Sequence, residues 1–426
     1  MTKRRVFVID HELLSPISIG KEHILSALKE NKIADGPIEG FSTDGLPFQN
    51  GAEIRVELKE YYQNESDAVK KLCSVDRKFE LLASTIGLFK SSLDKILPTL
   101  NPKRTGVILG VGAEHMPLKD YESEMIDFIE RKRNAVCELI AHLNSNDTEY
   151  SHLASPYDIY ANYLAEKFNA KAFQKSILTA CVSSTQAIAQ AYDSIARNEA
   201  DVVIAGGLDS IINLVALISF GKLGVIAETT DGVMCKPFDA NRKGTIAGEA
   251  AGIAIVVSEE FMKKNNLKPI AQLMGYGNTL DAFKITAPDP SGDGMKRAIK
   301  SAINKSNLKV ENIDYYYAHG TGTRQNDATE LKAFKEVLGA HANNVPISTT
   351  KNRHGHAIAA AGIQEFSLLL EMMKNDFIPS NLNIENPIDK ELNLVSTNLN
   401  QRINYALSAN FAFGGINTVL AVKNEK

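Results

Sequence analysis

The chain has 426 residues, 44% of them hydrophobic and 23% charged, with a formal net charge of −4. That length and apolar fraction allow two domains or one large duplicated unit, and the slight acidity argues against general nucleic-acid binding, which needs a broad cationic field. No apolar run approaches the roughly 18–20 residues of a membrane span, and the cysteines at 73, 137, 181 and 235 form no C-x-x-C pair, so neither a disulfide framework nor a zinc site is expected and the implied compartment is reducing cytoplasm.

The basic start followed by Val6-Phe-Val-Ile is too short in its apolar run for a signal peptide and reads as a first strand over 5–9. Helical spacing follows over 67–96, then a strand over 106–111. Residues 118–150 are charge-rich and helical, and read as an inserted helix pair at the surface or at a subunit contact. A helix over 156–168, a strand over 176–180, a helix over 183–199 and strands over 201–205 and 253–257 come next. Near residue 260 the series restarts, with strands over 270–274, 315–317, 345–348, 405–408 and 418–422 and helices over 294–306, 328–338 and 363–375. Such alternation predicts an α/β fold with buried, mostly parallel sheets. The restart predicts two similar halves, 1–260 and 261–426, although no sequence repeat is obvious.

Chemistry concentrates at three places. In Ile177-Leu-Thr-Ala-Cys181-Val-Ser-Ser-Thr a short strand is expected to run straight into a helix that starts at the thiol. Free N–H groups and the positive end of the helix dipole lower a thiol's pKa toward the reactive thiolate. His319 ends a strand and opens the Gly/Thr loop His319-Gly-Thr321-Gly-Thr323, where α/β folds place ligands. Lys351, His354 and His356 crowd a turn before an Ala-rich helix. No carboxylate or thiol stands at ligand spacing from these histidines, so no metal is expected.

These segments resemble the active-site motifs of β-ketoacyl-ACP synthases of the class using one Cys and two His. The likeness extends to Lys236-Pro-Phe-Asp-Ala-Asn-Arg-Lys-Gly-Thr-Ile-Ala-Gly-Glu-Ala-Ala-Gly and to Asn410-Phe-Ala-Phe413-Gly-Gly-Ile-Asn417. The resemblance implies the thiolase fold, two duplicated α/β halves in five layers, with no bound cofactor. Substrates would arrive on the phosphopantetheine arm of acyl carrier protein (ACP). It implies that Cys181 takes the acyl group and that its amide and that of Phe413 hold the tetrahedral oxyanion. His319 and His356 would stabilise the enolate of decarboxylating malonyl-ACP, with Lys351 orienting the network. Glu365 is the expected partner of Lys351. Asp327 and Glu330 match acidic positions that brace the histidine loop. Thr286, Thr321 and Thr323 match positions that bind the arm, and Phe413 is the expected gate. Arg77 and Lys78, and less directly Lys222, match ACP-docking positions. A homodimer, or a heterodimer with a second ketosynthase-like subunit, is implied.

The chain departs from that pattern at four places. Ile9-Asp-His-Glu replaces a Thr-Gly-x-Gly turn, and Ala412 replaces a glycine of the gating loop, where it is expected to restrict motion. Arg324 stands where an uncharged residue is common, and the insertion before Cys181 is long. These features suggest a specialised acyl chain such as a polyketide or polyene. Two rivals follow from the same residues. A non-catalytic chain-length-factor-like partner usually lacks the cysteine, which is present here. A thiolase or CoA-dependent synthase is disfavoured by His356 in its Lys-x-x-x-Gly-His setting.

Overall fold

The computed structural model describes residues 4–112, 157–228 and 235–426. The helical insertion expected over 118–150, and Cys137, lie outside them.

Strands β1 (Val6–Ser15), β2 (Thr105–Val111), β3 (Phe173–Ile177), β4 (Val202–Ser210) and β5 (Ala247–Ser258) lie side by side in the order β1-β5-β4-β2-β3. Strands β6 (Ala271–Leu280), β7 (Tyr315–Tyr317), β8 (Ile347–Ser348), β9 (Tyr405–Ala412) and β10 (Ile416–Asn424) follow the same rule, β6-β10-β9-β7-β8. In each set the first two pairings are antiparallel and the last two parallel. Two five-strand runs with one connectivity and one pattern of directions are a duplication written in topology. The sheets are therefore mixed, not mostly parallel. In the second run the reason is local: β9 and β10 are joined by the short Phe413–Gly415 turn, and so short a connection can only make a hairpin. The runs meet where Val6–Val8 pairs with Ala271–Leu273.

Helices α2 (Ser183–Ala196) and α5 (Ala361–Asn375) share one apolar core with both runs of strands. Helix α1 (Arg77–Leu88) covers the outer face of the first run, and α3 (Asp293–Lys305) and α4 (Arg324–Leu338) that of the second. The result is the five-layer, thiolase-like arrangement.

The central helices sit low on the strands because glycines leave room. A Cβ on Gly110 would lie 2.3 Å from the Ser184 nitrogen, and one on Gly362 2.1 Å from Thr185 Oγ1. Helix α2 thus presses its small first turn against β2 on one side and α5 on the other.

Some boundaries differ from expectation for identifiable reasons. The helix expected over 67–96 is three helices, Asp67–Val75, Arg77–Leu88 and Lys90–Ile96. Asp76 takes extended dihedrals and caps the second by accepting N–H bonds from Lys78 and Phe79. The first strand does not stop at residue 9. It runs on through Asp10-His11-Glu12 to Ser15, because its backbone is paired with β5 as far as Leu14↔Ala251. His11 and Glu12 are buried there, with His11 Nε2 3.3 Å from Glu371 and Glu12 accepting the Lys21 N–H at 2.7 Å.

Candidate active site

Strand β3 ends at Ile177, earlier than the sequence suggests, and Leu178–Thr179 lead into a single 3-10 turn, Ala180–Val182, before α2 begins. Ala180 has φ +49, a left-handed conformation that costs a non-glycine residue on the order of 1–3 kcal/mol. That bend turns Cys181 out of the strand direction and toward the second half of the molecule. Across from it, Ile358 has φ +34, two residues after His356. Left-handed backbone on each side thus flanks the reacting groups.

His356 Nε2 lies 3.1 Å from Cys181 Sγ. The rings of His319 and His356 stand edge to face with centroids 5.3 Å apart. Ligand-type atoms of Cys181, His319 and His356 all fall within 4.8 Å of one another, and all three residues are buried.

The proton on His319 can be placed from its neighbours. Its Nδ1 receives Lys351 Nζ and Asn410 Nδ2, each at 3.2 Å. Asn410 is oriented by Thr185, whose hydroxyl donates to Oδ1 at 2.6 Å, and by Glu365, which accepts from Nδ2 at 2.7 Å. With two donors on Nδ1, that nitrogen is the acceptor, so the ring proton sits on Nε2. His319 therefore offers an N–H donor to the pocket, which suits an oxyanion and not a cation. Burial, then the Lys351 charge, holds His319 and His356 well below the usual histidine range, so both rings are neutral at physiological pH.

Lys351 and Glu365 form a fully buried ion pair. Lys351 Nζ also donates to the His319 carbonyl at 2.6 Å. Such a pair is weak evidence for stability but sets geometry, and removing one partner strands the other charge. Glu330 accepts the N–H groups of His319 and Gly320 at 2.7 and 2.9 Å. Asp327 accepts those of Phe238 at 2.9 Å and Gly322 at 3.2 Å. Both carboxylates face the backbone of the histidine loop, and neither bonds a histidine ring.

The Cys181 thiol departs from the sequence expectation. Burial pushes it up to about 12, although Lys351 and hydrogen bonds from the Phe413 and Cys181 backbone N–H groups pull it down. Desolvation outweighs the helix terminus, so the resting group is a thiol whose proton must move as it attacks. Those two amides lie near enough to the sulfur to favour negative charge there, which suits a tetrahedral oxyanion formed beside it.

Cys181, His319 and His356 line a cavity of about 620 Å³ that also includes Thr286, Thr321, Thr323 and Phe413. Thr321 and Thr323 bring their hydroxyls within 2.9 Å of each other. Phe413 is half-buried, and the two glycines after it have φ +81 and +72. Ala412 has φ −112 and ψ 159, ordinary extended values, so alanine is unstrained in this arrangement and any restriction applies only to movement away from it.

Arg77 and Lys78 are corrected by the structure. Arg77 bonds Glu249 at 2.7 Å and Glu80 at 2.7 Å. Lys78 pairs with Asp209 at 3.2 Å, and its side chain is 7% exposed. They look like a solvated helix face in sequence, but buried carboxylates on β4 and β5 draw them inward, leaving Lys78 buried and Arg77 partly exposed and committed to two carboxylates. Lys222 remains exposed at the end of the helix Leu214–Lys222, beside the cavity residues Phe220 and Leu223. Sequence reasoning missed Asn410, although it heads a quoted motif. It also missed Asp209, which accepts the Ala359 N–H at 3.0 Å and ties the turn after His356 to β4.

Residues 88–261 match the beta-ketoacyl synthase, N-terminal domain, and residues 270–385 the beta-ketoacyl synthase, C-terminal domain. A 3-oxoacyl-[acyl-carrier-protein] synthase 2 of Synechocystis sp. is 29% identical over 437 residues, with 99% of each chain covered. A nodulation protein E of Rhizobium meliloti is 37% identical over 250 residues, 58% of this chain and 61% of the relative. Among solved structures, the ishigamide ketosynthase/chain length factor superposes with a TM-score of 0.83 over the whole of both chains, at 24% identity. A beta-ketoacyl synthase from Burkholderia phymatum gives 0.82 over 99% of this chain and 100% of that one, at 23%. No helix among the described residues is long and apolar enough to cross a membrane.

Proposed function

The chain belongs to the β-ketoacyl synthase family and is an acyltransferase of the 3-oxoacyl-ACP synthase type; on that premise we propose a division of labour among its residues. Cys181 attacks the thioester of an acyl-ACP, its proton passing to His356 Nε2 and from there to the departing carrier thiolate, as the acyl group moves from the carrier sulfur to Sγ. The Cys181 and Phe413 amides hold the oxyanion of that step. Malonyl-ACP then enters the same cavity, and its thioester oxygen meets the Nε2–H of His319 and the His356 ring. Loss of carbon dioxide leaves the electron pair of the broken C–C bond as an enolate. That enolate attacks the acyl-Cys carbonyl, a C–C bond forms, Sγ leaves as the thiolate and takes up a proton from water to restore the resting thiol, and 3-oxoacyl-ACP is released.

The observation that carries this reading is the fixed tautomer of His319. A donor aimed at the place beside Cys181 is what a developing enolate needs, and Lys351, Asn410 and Glu365 set it in advance. A buried, reachable thiol at the centre of the cavity favours the condensing role over a partner-only subunit.

The carrier is acidic, so the mouth should present cations. Lys243, Lys284 and Arg324 line it and are exposed, with Lys222 alongside. Exposed Phe283 and Ile285 stand among them. This rim is better placed for the docking role than Arg77 and Lys78, whose charges are paired with carboxylates. Thr286, Thr321 and Thr323 bind the phosphopantetheine arm as it descends. Strand β3, at the end of the strand order, supports pairing with a second copy or a second ketosynthase-like subunit. The acyl chain is of the fatty acid or polyketide kind.

The test is reconstitution with acyl-ACP and malonyl-ACP, following the carrier-bound product by mass. The proposal expects a 3-oxoacyl-ACP two carbons longer than the starting acyl group, absent with Cys181→Ala. Equal product from that variant would overturn it.

A further inference from the structure

His354 has no role in the condensation described above, yet it is 1% exposed and bonded at both ring nitrogens. Nδ1 lies 2.8 Å from the Gly355 carbonyl oxygen and Nε2 2.7 Å from Thr350 Oγ1. A carbonyl can only accept, so Nδ1 carries the proton and Nε2 accepts from the Thr350 hydroxyl. Thr350 Oγ1 in turn accepts from the hydroxyl of Tyr317, a fully buried residue of β7. The bonds form a one-way series: Tyr317 to Thr350, Thr350 to His354, His354 to the Gly355 carbonyl.

The end of that series is the peptide that leads into His356. Gly355 has φ 68 and ψ −173, a conformation L side chains rarely adopt. The His356 N–H donates to the Ile246 carbonyl at 2.8 Å. A Cβ on Gly248 would lie 2.7 Å from the His354 carbonyl oxygen, so the turn also rests directly on β5. The backbone on both sides of Gly355 is thus held by β5 and its approach, and the Gly355 carbonyl is held by the His354 ring. Burial keeps that ring near 3, so it stays neutral and its proton arrangement does not change over the working pH range.

We propose that His354 is a positioning residue whose Nδ1–H clamps the Gly355 carbonyl and thereby fixes the peptide from which His356 reaches Cys181. The inference rests on the reading of Cys181 and His356 as the reacting pair. It assigns a use to a buried side chain that the condensation steps leave without one.

Two amide substitutions separate the two bonds. In His354→Asn the side-chain amide nitrogen falls near the Nδ1 position and retains the clamp. In His354→Gln the amide falls near the Nε2 position, where its oxygen accepts from the Thr350 hydroxyl, so only the Thr350 contact is retained. The readouts are the rate of Cys181 alkylation by iodoacetamide at one fixed pH, kcat for condensation, and the melting temperature. The proposal expects His354→Asn within about threefold of the wild type in both rates. It expects His354→Gln and His354→Ala to be slower by roughly tenfold, the scale of leaving one buried carbonyl unpaired, with His354→Gln melting close to His354→Asn. If His354→Ala fails to fold, the Asn–Gln comparison decides alone. Equal rates for Asn and Gln, or Gln faster than Asn, would overturn the proposal. Alkylation needs no condensing activity, so a wild-type protein that fails to condense would refute the functional reading while leaving the Asn–Gln ordering measurable.

Discussion

The sharpest consequence of the site geometry concerns which atom of His319 does the work. Lys351 and Asn410 both donate to Nδ1, which leaves Nε2–H as the group facing the cavity. Removing one preorganised donor to an oxyanion costs about 2.7–4 kcal/mol, or roughly a hundredfold to a thousandfold in rate. His319→Ala should therefore lose decarboxylation of malonyl-ACP by that factor while Cys181 still accepts an acyl group, since His319 makes no bond to the sulfur. His319→Gln places an amide N–H near the old Nε2 and should recover to within about tenfold of the wild type. His319→Asn reaches only the Nδ1 side, where two donors already converge, and should behave like alanine. Carbon dioxide release and the intact mass of the acyl-enzyme, measured separately, decide the matter. If Asn outperforms Gln, or if Ala decarboxylates normally, the tautomer argument is wrong.

The buried Lys351–Glu365 pair gives a second expectation: Lys351→Met should destabilise the protein by about 3–5 kcal/mol. Lys351→Met combined with Glu365→Gln should regain most of that stability in calorimetry without regaining decarboxylation, and recovery of both would contradict the orienting role. A third concerns pH. Both histidines titrate well below 6.5 in the fold, so they stay neutral as pH falls from 7 through 6.5. In Cys181→Ala the His319 and His356 ring resonances should show no titration near 6.5 by NMR, and a ring that titrates there would contradict the placement. The same depressed values make stability present above the unfolded histidine pKa of about 6.5 and progressively lost below it. A fourth concerns the gate: Ala412→Gly should speed acylation or broaden the chain lengths accepted, read by acyl-enzyme formation with short and long acyl-ACPs. Unchanged rates across chain lengths would show that the two following glycines already supply all the motion.

Much of the fold is legible because its central strands are apolar throughout, as in Val202-Val-Ile-Ala-Gly-Gly-Leu, where every residue is buried. Several of the failures share one cause, polar residues whose partners are distant in the chain. Asp10-His11-Glu12 resembles the end of a strand, yet β5 and helix α5 supply its bonds. Arg77 finds Glu249 at a separation of 172 residues, and no local pattern marks such a pair. The thiol was misjudged for a related reason. A helix start is visible in sequence and argues for a low pKa, but burial by the opposite half of the molecule is not visible, and burial is the larger effect. Cys181, His319 and His356 were legible from type and setting alone. Their arrangement was not, because the orienting contacts of Asn410, Thr185 and Glu365 join β9, α2 and α5. His354 shows the same limit: the sequence places it in the turn with Lys351 and His356, and its use appears only with the Gly355 carbonyl beside it.

The most direct test of the whole account is the mass of the protein after incubation with acyl-ACP, followed by addition of malonyl-ACP. The account predicts one acyl group, mapped by peptide digestion to Cys181, which then disappears in step with the appearance of 3-oxoacyl-ACP. An acyl group on another residue, or one on Cys181 that persists while product accumulates, would contradict it.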